Sequence, residues 1–271
     1  EVILVDTLDR ESTASYTLTV RASDGVISGG TPNTNTTTVT ITVGDANDND
    51  PVCSPAVYTT ALAEDSPAGT TVITVTCADD DDGTNANIVY SVTSTYFGIG
   101  SSSGIITVSN VPDFDAGAPS SYSLTVKAVD GGVIQRTGTA LVTITLTETN
   151  DYAPVFTQTS YSASVNENEA VGTSIATAAA TDSDAGNQDN RLNCSLLGPT
   201  FHEFVALSFF GEITVKSSLD YESVTSYALK VEAVDSGSPA KTSTVDLAFA
   251  ITDVNDNDPV FSPTSYAIQV T

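Results

Sequence analysis

Apolar and polar residues alternate in short stretches along this chain. Tyr16-Thr17-Leu18-Thr19-Val20 is followed by Thr38-Val39-Thr40-Ile41-Thr42-Val43, and the pair of patterns returns as Tyr122-Ser123-Leu124-Thr125-Val126 with residues 140–146. It returns again as Tyr227-Ala228-Leu229-Lys230-Val231 with residues 244–249. A period of two marks half-buried strands, because successive strand side chains point to opposite faces. Clusters of Gly, Pro, Ser and Asp separate these stretches, at roughly 100 residues per unit, which predicts an all-β fold of antiparallel sandwiches. No amphipathic helix is read. Ala176-Thr177-Ala178-Ala179-Ala180-Thr181 is rich in a helix former, but it occupies the place of Val72-Ile73-Thr74-Val75-Thr76 one unit earlier and is expected to be strand.

The chain also repeats itself. Asp45-Ala46-Asn47-Asp48-Asn49-Asp50-Pro51 is matched by Glu148-Thr149-Asn150-Asp151-Tyr152-Ala153-Pro154 and by Asp253-Val254-Asn255-Asp256-Asn257-Asp258-Pro259, with starts 103 and 105 residues apart. Glu64 and Glu167 keep the same step, as do Asp24, Asp130 and Asp235, and Asp9, Asp113 and Asp220. So long a period means tandem domains. Proline stops a ladder and favours an extended linker, which puts the boundaries at Pro51, Pro154 and Pro259. Residues 1–51 are then the C-terminal part of one repeat, 52–154 and 155–259 are complete repeats, and 260–271 form the first strand of a further one.

Charge narrows the function. Among 271 residues, 34 are acidic and 8 basic, a formal net charge of −26, while 40% are apolar. The Val, Ile and Thr content argues against disorder. Such a surface repels nucleic acid and anionic lipid, and where its carboxylates cluster it attracts hard cations. Three cysteines, Cys53, Cys77 and Cys194, are too few for a disulfide scaffold and lack zinc, redox or haem spacing. No membrane span or signal peptide is read, so the chain is expected to be a segment of something longer, anchored to a membrane only through parts outside it.

Asp and Asn oxygens at alternate positions of a tight turn suit Ca²⁺, which takes roughly six to eight oxygen ligands in flexible geometry, better than Mg²⁺ with its strict octahedron. One such turn is ordinary solvated structure; three in step with further acids are not. An EF-hand is excluded, since the loop opened by Asp79 lacks the closing glutamate and flanking helices. Catalysis is not expected: His202 is the sole histidine, there is no Gly-x-Ser-x-Gly elbow, and the paired carboxylates are explained by metal.

The ordered set of motifs resembles cadherin extracellular repeats. It comprises Leu8-Asp9-Arg10-Glu11 and Leu219-Asp220-Tyr221-Glu222, the strand-end glutamates Glu64 and Glu167, and the turns Asp79-Asp80-Asp81 and Asp182-Ser183-Asp184. The Ala-x-Asp turns at Asp24, Asp130 and Asp235 and the three Asn-rich linkers complete it. The resemblance implies tandem seven-stranded Greek-key, immunoglobulin-like β-sandwiches with up to three Ca²⁺ ions at each complete junction. The first junction would draw on Asp9, Glu11, the Ala46 carbonyl, Asn47, Asp48, the Asn49 carbonyl, Asp79, Asp81, the Asn85 carbonyl and Asp130. The second would use Glu64, Asp113, Asp115, the Thr149 carbonyl, Asn150, Asp151, the Tyr152 carbonyl, Asp182, Asp184 and Asp235. The third would begin with Glu167, Asp220, Glu222, Val254, Asn255, Asp256 and Asn257. Asp113-Phe114-Asp115 departs from the family's Asp-x-Glu by one methylene, and Tyr152 replaces an asparagine at a carbonyl-donating position. The loop around residues 186–189 is one residue longer than its counterpart, which leaves the match to the Asn85 carbonyl unassigned.

The resemblance further implies calcium-dependent cell–cell adhesion on the extracellular side of the plasma membrane, with other cadherin-like repeats as partners in cis or trans. The alternative is a non-adhesive filament or secreted matrix spacer built from the same repeats. No tryptophan is present for the family's strand-swapped clasp, which suggests an interior segment of a long, protocadherin-like or Fat-like member. Cys53 and Cys77 fall at the same end of a sandwich, either as a disulfide or as two free thiols, and Cys194 is expected to pack as a small apolar residue. Asn35-Thr36-Thr37 and Asn193-Cys194-Ser195 are N-glycosylation sequons, the second expected to be restricted by a strand. Thr38, Thr40 and Thr42 either carry the O-linked mannose known in the family or serve simply as strand formers.

Overall fold

A computed structural model describes residues 2–25, 30–184, 192–197, 205–208, 210–262, 264–265 and 267–270. His202 and the loop at 186–189 lie outside the described residues. Every regular element described is a β-strand, and the chain divides into two compact units, Glu1–Thr147 and Glu148–Thr271.

The first unit opens with a hairpin, β1 (Ser15–Ser23) and β2 (Thr34–Thr42), registered from Ser15↔Thr42 to Ser23↔Thr34. Nine strand segments follow: β3 (Val52–Cys53), β4 (Val57–Ala63), β5 (Thr71–Thr74), β6 (Cys77–Ala78), β7 (Val89–Ser91), β8 (Phe97–Ile99), β9 (Ile105–Val108), β10 (Ser121–Val129) and β11 (Thr137–Thr147). They form the sheets β4-β11-β10-β7, β5-β9-β8 and β3-β6. The second unit repeats this order with β12 (Val155–Phe156), β13 (Ser160–Asn166), β14 (Ser174–Thr177), β15 (Ala180–Thr181), β16 (Asn193–Leu197), β17 (Val205–Leu207), β18 (Glu212–Val215), β19 (Ser226–Val234) and β20 (Thr242–Thr252). Its sheets are β13-β20-β19-β16, β14-β18-β17 and β12-β15. Nine segments make seven strands because the first two strands of each sandwich are interrupted.

One pairing departs from the antiparallel reading. β4 runs parallel to β11, with Tyr58 opposite Val142, and β13 runs parallel to β20, with Tyr161 opposite Leu247. The cause is the interrupted first strand. Its opening segment pairs antiparallel with β6 or β15, then the chain crosses to the other sheet and meets the last strand running in its own direction.

Alternation builds the cores as expected. The inward residues of β10 and β11, Leu124, Val126, Ala128, Val142, Ile144 and Leu146, pack with Phe97 and Ile106. In the second unit Leu229, Val231, Leu247 and Phe249 pack with Ile213, and Tyr227 stacks on Phe249 at 4.9 Å between ring centroids. Each large apolar side chain fully buried this way contributes about 1.5–3 kcal/mol. The hairpin differs: Leu18 and Val20 stay exposed, since no second sheet covers β1 and β2 among the described residues.

Two open points close here. Cys53 and Cys77 stand opposite each other in the β3-β6 register and form a disulfide. Within residues 176–181, 176–177 close β14 and 180–181 form β15, with the fully buried Ala178 in the gap between them. Cys194 is half-buried against the second core.

Candidate metal centres

At the first linker, β2 ends and residues 45–51 run along the sandwich that follows. The Asn47 amide is held by its nitrogen, which donates to Asp130 Oδ2 at 2.9 Å and to the Ile134 carbonyl at 2.7 Å. Its oxygen is buried and has no hydrogen-bond partner. Asp130 is fully buried. Burial alone would raise its pKa, but the bonds from Asn47, Gly132 N and Arg136 N outweigh that and hold the carboxyl below its ordinary value. Asn49 Nδ2 donates to Asp81 Oδ1 at 2.9 Å, and Asp81 N donates to Asp79 Oδ1 at 3.0 Å. Asp79 Oδ2 is left buried without a partner. Burial, aided by the neighbouring charges of Asp81 and Asp130, pushes the Asp79 pKa up.

The second unit reproduces the arrangement. Asn150 Nδ2 donates to both Asp235 oxygens at 3.2 Å and to the Pro239 carbonyl at 2.7 Å, while Asn150 Oδ1 is buried and unpartnered. Asp184 Oδ1 accepts from the Asp151 and Tyr152 backbone N–H groups, so the asparagine-to-tyrosine change at 152 leaves this backbone contact in place. Asp184 N donates to Asp182 Oδ1 at 3.1 Å, and Asp182 Oδ2 and Asp184 Oδ2 are both buried without partners. Burial raises the Asp182 pKa as it does that of Asp79.

Each strand-end glutamate gathers acidic residues of its own unit. Glu64 is buried, accepts from Phe114 N at 2.5 Å, and lies with Asp113 and Asp115 so that one oxygen of each is within 4.8 Å of the others. Glu167 is buried too; it accepts from Tyr221 N at 2.6 Å and Val254 N at 2.7 Å and gathers with Glu222 and Asp256. Glu11 gathers with Asp81 and with Asp45, which the sequence reading left out. Several expected ligands also accept local hydrogen bonds. Asp9 accepts from the backbone and hydroxyl of Ser12, which lowers its pKa, and Asp220 does the same with Ser223. The Ala46 carbonyl accepts from Asp48 N, Asp113 Oδ1 accepts from Ala116 N, and Asn257 donates to Asp256. Asn85 reaches Asp45 through its side chain.

Basic residues were also missed. Arg136 Nε donates to the Asn47 carbonyl at 2.9 Å and its Nη1 pairs with Asp50. In the second unit Lys241 Nζ donates to the Asp151 carbonyl at 2.5 Å. Arg10 pairs with Asp82 and lies 3.5 Å from Asp45. Arg136 and Lys241 keep the repeat's 105-residue step, a signal available in the sequence.

Leaving a buried polar atom unpaired costs about 1–3 kcal/mol. Among the described residues, buried oxygens of Asn47, Asp79, Asn150, Asp182 and Asp184 are left so. An all-oxygen, anionic donor set that no protein N–H serves fits a hard cation such as Ca²⁺.

Comparison with known proteins agrees with this geometry. The cadherin domain family model matches residues 1–44, 58–147 and 161–252. Protocadherin Fat 4 of Mus musculus is 38% identical over 277 residues, covering 100% of this chain and 5% of that protein. Mouse cadherin-23 repeats EC22-24 superpose with a TM-score of 0.68 at 34% identity, covering 92% of this chain and 78% of that one. A cis-dimer structure of protocadherin gammaB7 EC3-6 gives 0.74 at 26% identity, covering 90% and 60%. The chain thus spans a small part of the curated relative it matches, and it belongs to the cadherin family as a run of tandem extracellular-type repeats.

Proposed function

We propose that this segment is a calcium-stiffened piece of a cell-surface adhesion ectodomain, with ions held by the linker and its flanking carboxylates. The observation that carries the reading is the set of buried oxygens facing no protein donor, present at Asn47 and Asp79 and repeated at Asn150, Asp182 and Asp184. Each asparagine is oriented for the task, because its nitrogen is engaged on both sides and its oxygen is thereby turned inward. Asp130 and Asp235 are buried and accept hydrogen bonds from backbone N–H groups, and Glu64 and Glu167 accept from backbone N–H groups at the strand ends. When bound, Ca²⁺ supplies positive charge and roughly six to eight oxygen contacts, replacing repulsion among these carboxylates by shared ligation.

At the first linker this joins Glu11 of the leading repeat to Asp81 and Asp130 of the next, and the joint loses its freedom. The boundaries at 51, 154 and 259 follow from the same linkers. The family's cell-surface relatives and the cis-dimer support an extracellular location, anchored by parts of the protein outside this segment, and partners that are other cadherin-like repeats. Solution scattering with calcium and after chelation tests the stiffening: the profile should broaden with EDTA, and an unchanged profile contradicts it. Bead aggregation tests the adhesive role, since a calcium-binding spacer would leave coated beads dispersed in both states.

A further inference from the structure

We infer that Asn193 carries an N-linked glycan that shields β16, the edge strand of the second sandwich among the described residues; the inference rests on the extracellular reading. Asn193-Cys194-Ser195 fits the acceptor pattern. It lies on β16, the edge of the sheet β13-β20-β19-β16, where Asn193 stands opposite Val234 and Ser195 opposite Glu232. Strand alternation puts Asn193 and Ser195 on the exposed outer face, while Cys194 and Leu196 turn half-buried toward the core. Burial in the strand therefore falls on Cys194 and not on the acceptor. The matching residue of the first sandwich, Val89, is likewise exposed.

The other sequon has different surroundings. Asn35 pairs with Ala22, and the matching positions in the two sandwiches are Gly138 and Ser243. A Cβ on Gly138 would lie 1.8 Å from the Pro51 carbonyl oxygen, and the Ser243 hydroxyl is buried. Asn35 itself is exposed, but the matching position is crowded in both sandwiches, whereas the position matching Asn193 is exposed.

The edge supplies a reason for the glycan. An edge strand presents unpaired backbone groups and is normally protected by charge, proline or shortness. β16 has five residues, none of them charged or proline, whereas the corresponding edge β7 has three. A bulky hydrophilic group at Asn193 prevents another strand from adding there. In the transfer itself the Asn193 amide nitrogen displaces polyisoprenyl diphosphate from the anomeric carbon of a polyisoprenyl-diphosphate-linked oligosaccharide. A C–N bond forms, a C–O bond breaks, the amide gives up one proton, and no electrons are exchanged with an oxidant.

The test is to secrete the chain from a eukaryotic cell and treat it with peptide N-glycosidase in heavy-oxygen water before peptide mass spectrometry. Heavy aspartate at position 193 is expected; it should disappear in Ser195→Ala and persist in Ser195→Thr. Unmodified Asn193 in the secreted chain overturns the inference. Calcium titration of the same sample reads the metal proposal separately, so a bare Asn193 with an intact calcium response sinks the glycan alone. In Ser195→Ala, which lacks the glycan and keeps an uncharged Asn193, sedimentation should show increased self-association, and unchanged sedimentation overturns the shielding role.

Discussion

Asp130→Asn separates the structural work of this carboxylate from its proposed work as a ligand. Asp130 Oδ1 accepts from Gly132 N at 3.1 Å, and Oδ2 accepts from Asn47 Nδ2 at 2.9 Å and Arg136 N at 3.0 Å. In asparagine, the orientation that preserves both Oδ2 bonds turns an NH₂ group toward Gly132 N–H. One buried backbone donor then loses its acceptor, at about 1–3 kcal/mol, and each kcal/mol lowers the melting temperature by roughly 4–8 °C in a domain of this size class. That loss appears without metal. Calcium at a hundredfold excess over its Kd should stabilise the parent by about 2.7 kcal/mol, whereas a tenfold weaker Kd at the same concentration leaves about 1.4 kcal/mol. Scanning calorimetry of both proteins, in EDTA and in calcium, reads the two effects separately. If parent and variant gain equally from calcium, or the parent gains nothing, Asp130 is not a ligand and the reasoning fails.

Other changes probe the surroundings. Arg136→Gln removes the bond to the Asn47 carbonyl and the exposed pair with Asp50, so stability should fall by only about 0.5–1.5 kcal/mol while hydrogen exchange at residues 47–50 accelerates; unchanged exchange counts against the tether. The doubly substituted Cys53→Ala, Cys77→Ala chain loses a cross-link spanning 24 residues and should be about 3 kcal/mol less stable in urea titrations, a difference absent if the thiols are free. Gly138→Ala drives a methyl group into the Pro51 carbonyl and should cost about 1–3 kcal/mol; a neutral result would mean that the linker entry yields freely.

The strands were legible because alternation at β10, β11, β19 and β20 is a local property, and the repeat step settled residues 176–181 where composition pointed the other way. The parallel pairing of β4 with β11 was not legible, since it depends on where an interrupted strand changes sheets. The acidic clusters could be read because their residues recur in order along the chain. Asp45 and Arg10 could not be placed, because their roles arise from residues 37 and 72 positions away coming together, and the repeat step that marks Arg136 does not show that it reaches the Asn47 carbonyl. Cys53 and Cys77 remained ambiguous for a related reason: only the register of β3 on β6 sets them directly opposite.

The most direct test of calcium ligation is an anomalous-scattering map from crystals grown in millimolar calcium. Peaks are expected at roughly 2.3–2.6 Å from Asn47 Oδ1 and Asp79 Oδ2, the oxygens that no protein donor serves. A featureless map at those two atoms would contradict the account.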